Sequence, residues 1–305
     1  MLENIYNIFM FYDGDVCKEV GCKASKLIGD DNKKINFLRS KIESDLNVCS
    51  RFKLSKETTR DEENAWTRLN ENSPAILEVF RKFGISDSSL RIITPIVNGE
   101  IYYDVSIPYG KNILEESKKQ MNIEGEQKDW LLHYTNENGI DISQLIHDDY
   151  FEAIKLTYNN KMYVSSMKLL VSCIDSIAYI EFGTGSPFKE WLKVYADLDT
   201  LGITPDELWE LRNSLLHMTN LNSRQVMQNK IRRISFFAAS DENSFFHEVE
   251  KIHYFNLYGL IKVYAAALGR WIESYNEDRD KFAKFVERYD QTISDSRISY
   301  VKKAP

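Results

Sequence analysis

The sequence predicts a mainly helical protein, with an α+β domain over residues 1–140 and a helical bundle over residues 145–305. Strand patterns and a hairpin signal are confined to the first part of the chain, whereas long amphipathic helical patterns fill most of the second. A polar stretch, YTNENGIDIS at 134–143, separates the two parts and marks the expected boundary. A chain of 305 residues is long enough for two domains, each with its own core.

The N-terminal part combines strand and helix signals. The apolar run IYNIFMFY predicts a strand that ends in the turn Asp-Gly-Asp at 13–15, and Asn98-Gly99 predicts the turn of a hairpin. Between them, apolar residues at spacings of three and four predict a helix over 30–49. A second helical pattern, over 63–84, is broken at Pro74 and ends at a glycine.

The C-terminal part predicts about five helices and one short strand. The segment with the clearest helix start is TPDELWELRNSLLHMTN, in which Thr204 is the expected N-cap, Pro205 the first helical residue and Glu207 the capping-box partner. The other predicted elements are a short helix over 147–160 with HDDY as its N-cap, a long buried helix over 161–183, a helix over 187–198, a strand in RRISFFAA and a long helix over 245–275.

Composition excludes several classes of protein. The net charge of −7 argues against indiscriminate coating of nucleic acid, which requires broad neutralisation of phosphates. The apolar run near the N-terminus is too short to span a bilayer and lacks a preceding basic residue, so we expect a cytoplasmic protein with no membrane contact. The four cysteines show no metal-ligand spacing, so reduced thiols are expected.

Three polar residues lie among the leucines of the helix that starts near residue 204. On a helical wheel, Arg212 falls inside the apolar arc, and Asn213 and His217, four residues apart, share the adjoining flank. A guanidinium does not lose its proton, so an arginine in this position requires an anion. One interpretation is structural: Arg212 pairs with Asp175 of the preceding long helix, and His217 is an ordinary residue of a helix C-terminus.

The hexapeptide RNSLLH, residues 212–217, together with the order of the helices, resembles the HEPN domains (higher eukaryotes and prokaryotes nucleotide-binding). The resemblance covers roughly residues 145–275. It implies metal-independent cleavage of RNA, without a cofactor, in which the ribose 2′-hydroxyl attacks the adjacent phosphorus. Histidine can transfer protons at neutral pH, and arginine can stabilise the charge that develops on the phosphorane. Asn213 would orient the phosphate or the imidazole, and Asp175 would support the arginine.

The resemblance also implies partners. A homodimer formed through the motif helices would bring two arginines and two histidines into one cleft. RNA is the expected substrate, and the basic segment that follows the motif supplies candidate RNA contacts, namely Arg224, Lys230, Arg232 and Arg233. Bacterial relatives of this type commonly act as toxins or in defence against phage, so a regulatory ligand or an antitoxin is a further expected partner. The alternative class is a non-catalytic HEPN-like module that binds a partner or a nucleotide.

Two other patterns are weaker. Asp13 and Asp15 have a spacing that Mg²⁺ sites use, but most Asp-Gly-Asp segments are turns, so no metal site is assigned there. His247 and His253 are six residues apart and would lie on different faces of one helix, which favours packing roles.

Overall fold

The computed structural model describes residues 2–102, 126–137, 139–185, 187–217, 221, 223–239, 241, 251–292 and 297–300. The chain divides into two compact units, residues 1–124 and 125–305. The polar stretch 134–143 therefore lies within the second unit. The first unit is built on a mixed sheet and the second is mainly helical, as predicted at that level.

The first unit contains one five-stranded sheet of order β3-β2-β1-β4-β5. Neighbouring strands are antiparallel, except for β1 and β4, which run parallel from the pair Tyr6 and Arg91 to the pair Tyr12 and Val97. In chain order, its elements are β1 (Leu2–Asp13), β2 (Val16–Ile28), α1 (Asp31–Leu46), β3 (Ser50–Thr59), α2 (Arg60–Arg68), α3 (Pro74–Phe83), β4 (Arg91–Val97) and β5 (Glu100–Ile101).

Helices cover both faces of this sheet. Side chains alternate along β1, so successive residues of this strand contact helices on opposite faces. Tyr6, Ile8, Met10 and Tyr12 pack against the helix α3. The intervening positions face α1: Phe9 packs with Ile42 and Ile96, while the buried Asn7 donates to the carbonyl of Leu38 at 3.0 Å and to Asp45 at 2.9 Å. The unit is therefore a three-layer arrangement.

The predicted strand, helices and turns of the first unit are confirmed, and two strands were missed. The turn between β4 and β5 has φ values of +52° at Asn98 and +87° at Gly99, as a tight hairpin requires. The part of that predicted hairpin beyond residue 102 lies outside the described residues. Lysines and glutamates interrupt the apolar pattern of β2, and β3 is a mostly polar edge strand, so neither shows a clear two-residue alternation.

The second unit has more elements than the sequence predicts, including a last helix that no pattern indicated. In chain order these are β6 (Glu126–Asp129), α4 (Trp130–Tyr134), β7 (Thr135–Asn136), β8 (Gly139–Ile140), α5 (Ile142–Ile146), α6 (Glu152–Asn159), α7 (Tyr163–Phe182), α8 (Pro187–Tyr195), a 3₁₀ turn (Leu198–Leu201), α9 (Pro205–His217), α10 (Arg224–Met227), β9 (Ile234–Phe237), β10 (His253–Asn256), α11 (Leu257–Glu277), α12 (Lys281–Thr292) and β11 (Arg297–Tyr300).

The long helix α7 lies at the centre of this unit and contacts α6, α8, α9, α11 and α12. Its buried side includes Met167, Leu170, Ile174 and Ile177, all with no exposed surface. The helix is long and apolar enough to cross a membrane. However, half of its most apolar stretch is buried inside the protein, as in the core helix of a helical domain. One flank of α7 stays accessible, and Asp175 lies on it.

The predicted start of a helix at 147–150 is wrong. The helical segment begins at Ile142, where Asp141 accepts from the backbone N–H of Gln144 at 2.9 Å, and residues 147–151 form a π-helical turn between α5 and α6. Asp148 is not an N-cap, because its carboxylate accepts from Tyr134 at 3.0 Å and from Gln144 at 2.7 Å.

The long helix predicted over 245–275 is also wrong in its first part. His253–Asn256 is a strand that pairs parallel with Ile234–Phe237, which lies within the predicted RRISFFAA strand. The helix starts at Leu257 because the Asn256 side chain caps it, accepting from the N–H of Tyr258 at 3.0 Å. Residues 242–250, including His247, lie outside the described residues.

All four cysteines are free thiols, and their burial predicts different reactivities. Cys17, Cys22 and Cys173 are buried, and burial raises the pKa of each thiol to about 12, whereas Cys49 is partly exposed. We expect one thiol to react promptly with a disulfide reagent at pH 8 in the native protein, and all four in guanidinium chloride. Prompt reaction of several native thiols would contradict the buried positions.

Candidate functional site

Helix α9 carries the candidate site, and its start is determined locally. The hydroxyl of Thr204 accepts from the N–H of Glu207 at 3.2 Å, and the carboxylate of Glu207 accepts from the N–H of Thr204 at 2.8 Å. This is the predicted capping box, with Pro205 at the first helical position. Because the start is fixed, the direction of each later side chain on α9 follows from helical geometry.

One side of α9 is buried and the opposite side is accessible. Glu207, Leu208, Glu210, Leu211, Ser214 and Leu215 are buried, whereas Trp209, Arg212, Asn213 and Leu216 are partly exposed and His217 is exposed. The site residues that the sequence predicted on this helix therefore lie on its accessible side. The placement of Arg212 inside the apolar arc is wrong, because the apolar neighbours Trp209 and Leu216 are themselves partly exposed.

The guanidinium of Arg212 is held by three neighbours. Its Nε and Nη2 atoms lie 2.6 Å and 2.5 Å from the same oxygen, Oδ2 of Asp175, and its Nη1 donates to Oδ1 of Asn213 at 2.9 Å. Its central carbon lies 4.9 Å from the ring centroid of Trp209, a cation–π contact. The structure thus brings together Arg212, Asn213 and Asp175, as the sequence predicted, and adds Trp209.

The contact with Asp175 leaves part of the guanidinium available. An arginine has five N–H donors, and the contacts with Asp175 and Asn213 use three of them. Within the described part of the chain, the remaining two have no partner. The side chains of Arg212 and Asp175 are 20% and 26% exposed, so solvent and a ligand have access to the pair.

Asp175 lies in an environment that disfavours its charge. Burial raises the pKa of its carboxyl group, although the hydrogen bond and the charge of Arg212 act in the opposite direction. The ion pair is therefore neither fully solvated nor deeply buried.

His217 is the last residue of α9, and its ring has no hydrogen-bond partner among the described residues. It follows Asn213 by four residues, which places the two side chains on one flank of the helix. The imidazole is thus accessible for proton transfer, next to the amide that contacts Arg212.

The four basic residues that follow the motif differ in their contacts and exposure. Arg232 donates to both carboxylate oxygens of Glu207, at 2.7 Å and 3.1 Å, and to the carbonyl of Gly202 at 2.5 Å. This arginine therefore supports the start of α9, although its side chain is 43% exposed. Arg224 and Lys230 are exposed, and Arg233 is partly buried.

Two of the other sequence candidates, Asp15 and His253, have structural partners. Asp15 accepts a hydrogen bond from Arg60 at 3.2 Å, beside a glycine whose φ of +60° suits a turn. A ring nitrogen of His253 lies 3.2 Å from the carbonyl oxygen of Leu201, within the second unit. Among the residues with described positions, no three His, Cys, Asp or Glu side chains gather as a metal site would require.

Sequence reasoning missed the role of Trp209, although its position three residues before Arg212 was a usable signal. Residues three apart on a helix are neighbours, and tryptophan is the best cation–π partner for a guanidinium. Phe188 of α8 packs on the same indole, with ring centroids 5.3 Å apart. The indole therefore lies between the core and the guanidinium.

No protein-family model matches the chain, and neither a curated protein nor a solved structure matches it. The resemblance to HEPN domains stays a prediction from the sequence.

The contact of Arg232 with Glu207 predicts a stability effect. We expect Arg232→Ala to lower the free energy of unfolding by about 1–3 kcal/mol, because the largely buried carboxylate of Glu207 loses two charge-assisted hydrogen bonds. Arg224→Ala, at an exposed position in the same segment, should change it by less than about 0.5 kcal/mol. Equal unfolding curves in urea for the two variants would contradict the structural role of Arg232.

Proposed function

We propose that the protein is a metal-independent endoribonuclease of the HEPN type, with Arg212, Asn213 and His217 as its catalytic residues. The observation that carries the proposal is the arrangement on the accessible side of α9. There, an arginine with two available N–H donors is joined to an asparagine, and an exposed histidine follows one turn later. Together these groups offer an anion contact and a proton-transfer group on one helix.

The proposed reaction needs both of these groups. The ribose 2′-oxygen attacks the neighbouring phosphorus, the bond from phosphorus to the 5′-oxygen breaks, and the products carry a 2′,3′-cyclic phosphate and a 5′-hydroxyl. A base takes the proton of the 2′-hydroxyl, and an acid protonates the leaving oxygen. His217 fills one of these roles, and Arg212 stabilises the charge on the phosphorane.

A second copy of the chain would complete the site. One His217 supplies one imidazole, whereas the reaction uses a base and an acid. Pairing of two α9 helices around a two-fold axis would supply both, and would set two guanidiniums around one phosphate. Asp175 would then limit the repulsion between the two arginines before RNA binds. Further RNA contacts would come from the basic residues that follow the motif in the chain. These are the exposed Arg224 and Lys230, and the partly buried Arg233.

The biological role follows only from the resemblance. A nuclease of this type would act in the cytoplasm as a toxin or as an effector of defence against phage. Its activity would be controlled by a ligand or an antitoxin, and the first unit would serve as the sensor or would select the RNA.

A non-catalytic interaction or nucleotide-binding module is the second candidate, and one observation favours it. Arg212 is already paired with Asp175, through contacts of 2.6 Å and 2.5 Å to one carboxylate oxygen. In that case the arginine would hold α7 and α9 together, and the accessible side of α9 would bind a partner without chemistry.

The two candidates predict different results with RNA in the presence of EDTA. We expect the wild-type protein to cut a structured RNA into fragments with cyclic phosphate ends, because the proposed reaction uses no metal. Arg212→Ala and His217→Ala should each lower the rate at least about a hundredfold, as expected for loss of a transition-state contact or of a general acid or base. A cyclic phosphate end is identified because a phosphatase cannot remove it until a cyclic phosphodiesterase has opened it to a monophosphate.

Matched controls separate the motif from general charge effects. Arg279→Ala removes an exposed arginine that has no place in the proposed site, and His147→Ala removes another accessible histidine of the second unit, so both should keep most of the activity. If a folded, dimeric wild-type protein leaves RNA intact, the nuclease proposal fails and the interaction module is favoured.

A further inference from the structure

We propose that Asp175 is an internal competitor for the anion position of Arg212, so that a phosphate group binds the arginine fully only when the carboxylate leaves. This inference rests on the proposed function, because it concerns the same arginine, but it can be tested by binding alone. The ligand class is the phosphodiester of a nucleic acid strand.

The geometry of the contact is the first support. A carboxylate and an arginine in the strongest arrangement share two parallel hydrogen bonds through two oxygens. Here Nε and Nη2 both approach the single oxygen Oδ2 of Asp175, at 2.6 Å and 2.5 Å. The other oxygen, Oδ1, has no partner within the described ranges. The carboxylate thus occupies the edge of the guanidinium formed by Nε and Nη2, although only one of its two oxygens makes the contact.

The other contacts of Arg212 are the second support, because they persist without Asp175. Nη1 is held by Asn213 at 2.9 Å, and Trp209 lies under the guanidinium at 4.9 Å. Both residues belong to α9, the helix that carries Arg212, whereas Asp175 belongs to α7. Rotation of the Asp175 side chain would therefore expose the Nε and Nη2 donors without moving the arginine.

The environment of Asp175 is the third support. Burial raises the pKa of its carboxyl group despite the nearby guanidinium, so the site disfavours the ionised carboxylate. An incoming phosphate carries its own charge and can offer two oxygens to the freed edge. Exchange of one anion for the other therefore keeps the guanidinium neutralised throughout.

The test is binding of a fluorescently labelled 2′-O-methyl oligoribonucleotide to the full chain, measured by fluorescence anisotropy at fixed salt. This probe lacks the attacking hydroxyl, so cleavage does not interfere. We expect Asp175→Asn to lower the Kd about three- to tenfold, because the fraction of Arg212 that is free to bind rises. Asp206→Asn is the control: it removes the same charge from a carboxylate on α9 that pairs with Lys189 at 2.9 Å, and should change the Kd less than twofold.

The increase in affinity caused by Asp175→Asn should also require Arg212. In the Arg212→Ala background, Asp175→Asn should have no effect on the Kd. If Asp175→Asn folds poorly by circular dichroism, Asp175→Ser provides the same loss of charge with a smaller side chain. Unchanged or weaker binding by the folded Asp175 variants, or an equal gain from Asp206→Asn, would overturn the proposal, as would absence of binding by every variant.

Binding and cleavage can fail separately. A gain of affinity in the Asp175 variant without any cleavage of unmodified RNA would support the competitor and contradict the nuclease. Cleavage by the wild-type protein with no gain in the Asp175 variant would support the nuclease and contradict the competitor.

Discussion

The candidate site depends on the hydrogen bonds that the carboxylate of Glu207 accepts. This carboxylate closes the capping box at the start of α9 and pairs with Arg232, which also reaches the carbonyl of Gly202. One side chain therefore joins the start of the helix to the segment that leads into β9. Since a helix advances by a fixed angle per residue, this single anchor determines where Trp209 and Arg212 point.

The second constraint is the burial of α7. A long apolar helix surrounded by its neighbours has one accessible flank, and that flank is next to α9. Asp175 lies on it and contacts Arg212, so the charged pair sits at the edge of the core and not inside it. A pair in this position costs less desolvation than a buried one and contributes less to stability, which allows a ligand to exchange with one partner.

The candidate site therefore combines rigid support with an exchangeable contact. Trp209 packs against Phe188 and supports the guanidinium from the side of the core, and Asn213 holds one of its nitrogens. Asp175 approaches from another helix through one oxygen. The same arrangement accommodates the nuclease and the interaction module, because both need an oriented arginine on an accessible helix face; they differ in what His217 does.

Features that depend on near neighbours in the chain could be predicted from the sequence. The capping box of α9, the turn at Asn98 and Gly99 and the strand that became β1 involve residues within a few positions of each other, so capping, turn and periodicity signals identify them. The pairing of Arg212 with Asp175 was also foreseeable, because a guanidinium among apolar residues requires an anion and an acid lay on the preceding helix.

The remaining features depend on contacts between segments that are far apart in the chain. Arg232 had the appearance of a free RNA contact, but it pairs with a carboxylate 25 residues earlier in the chain. His253–Asn256 continues a helical pattern in sequence, yet it forms a strand because Ile234–Phe237 offers a parallel partner. In both cases the outcome depends on hydrogen bonds between distant segments, and no local pattern records which segments meet.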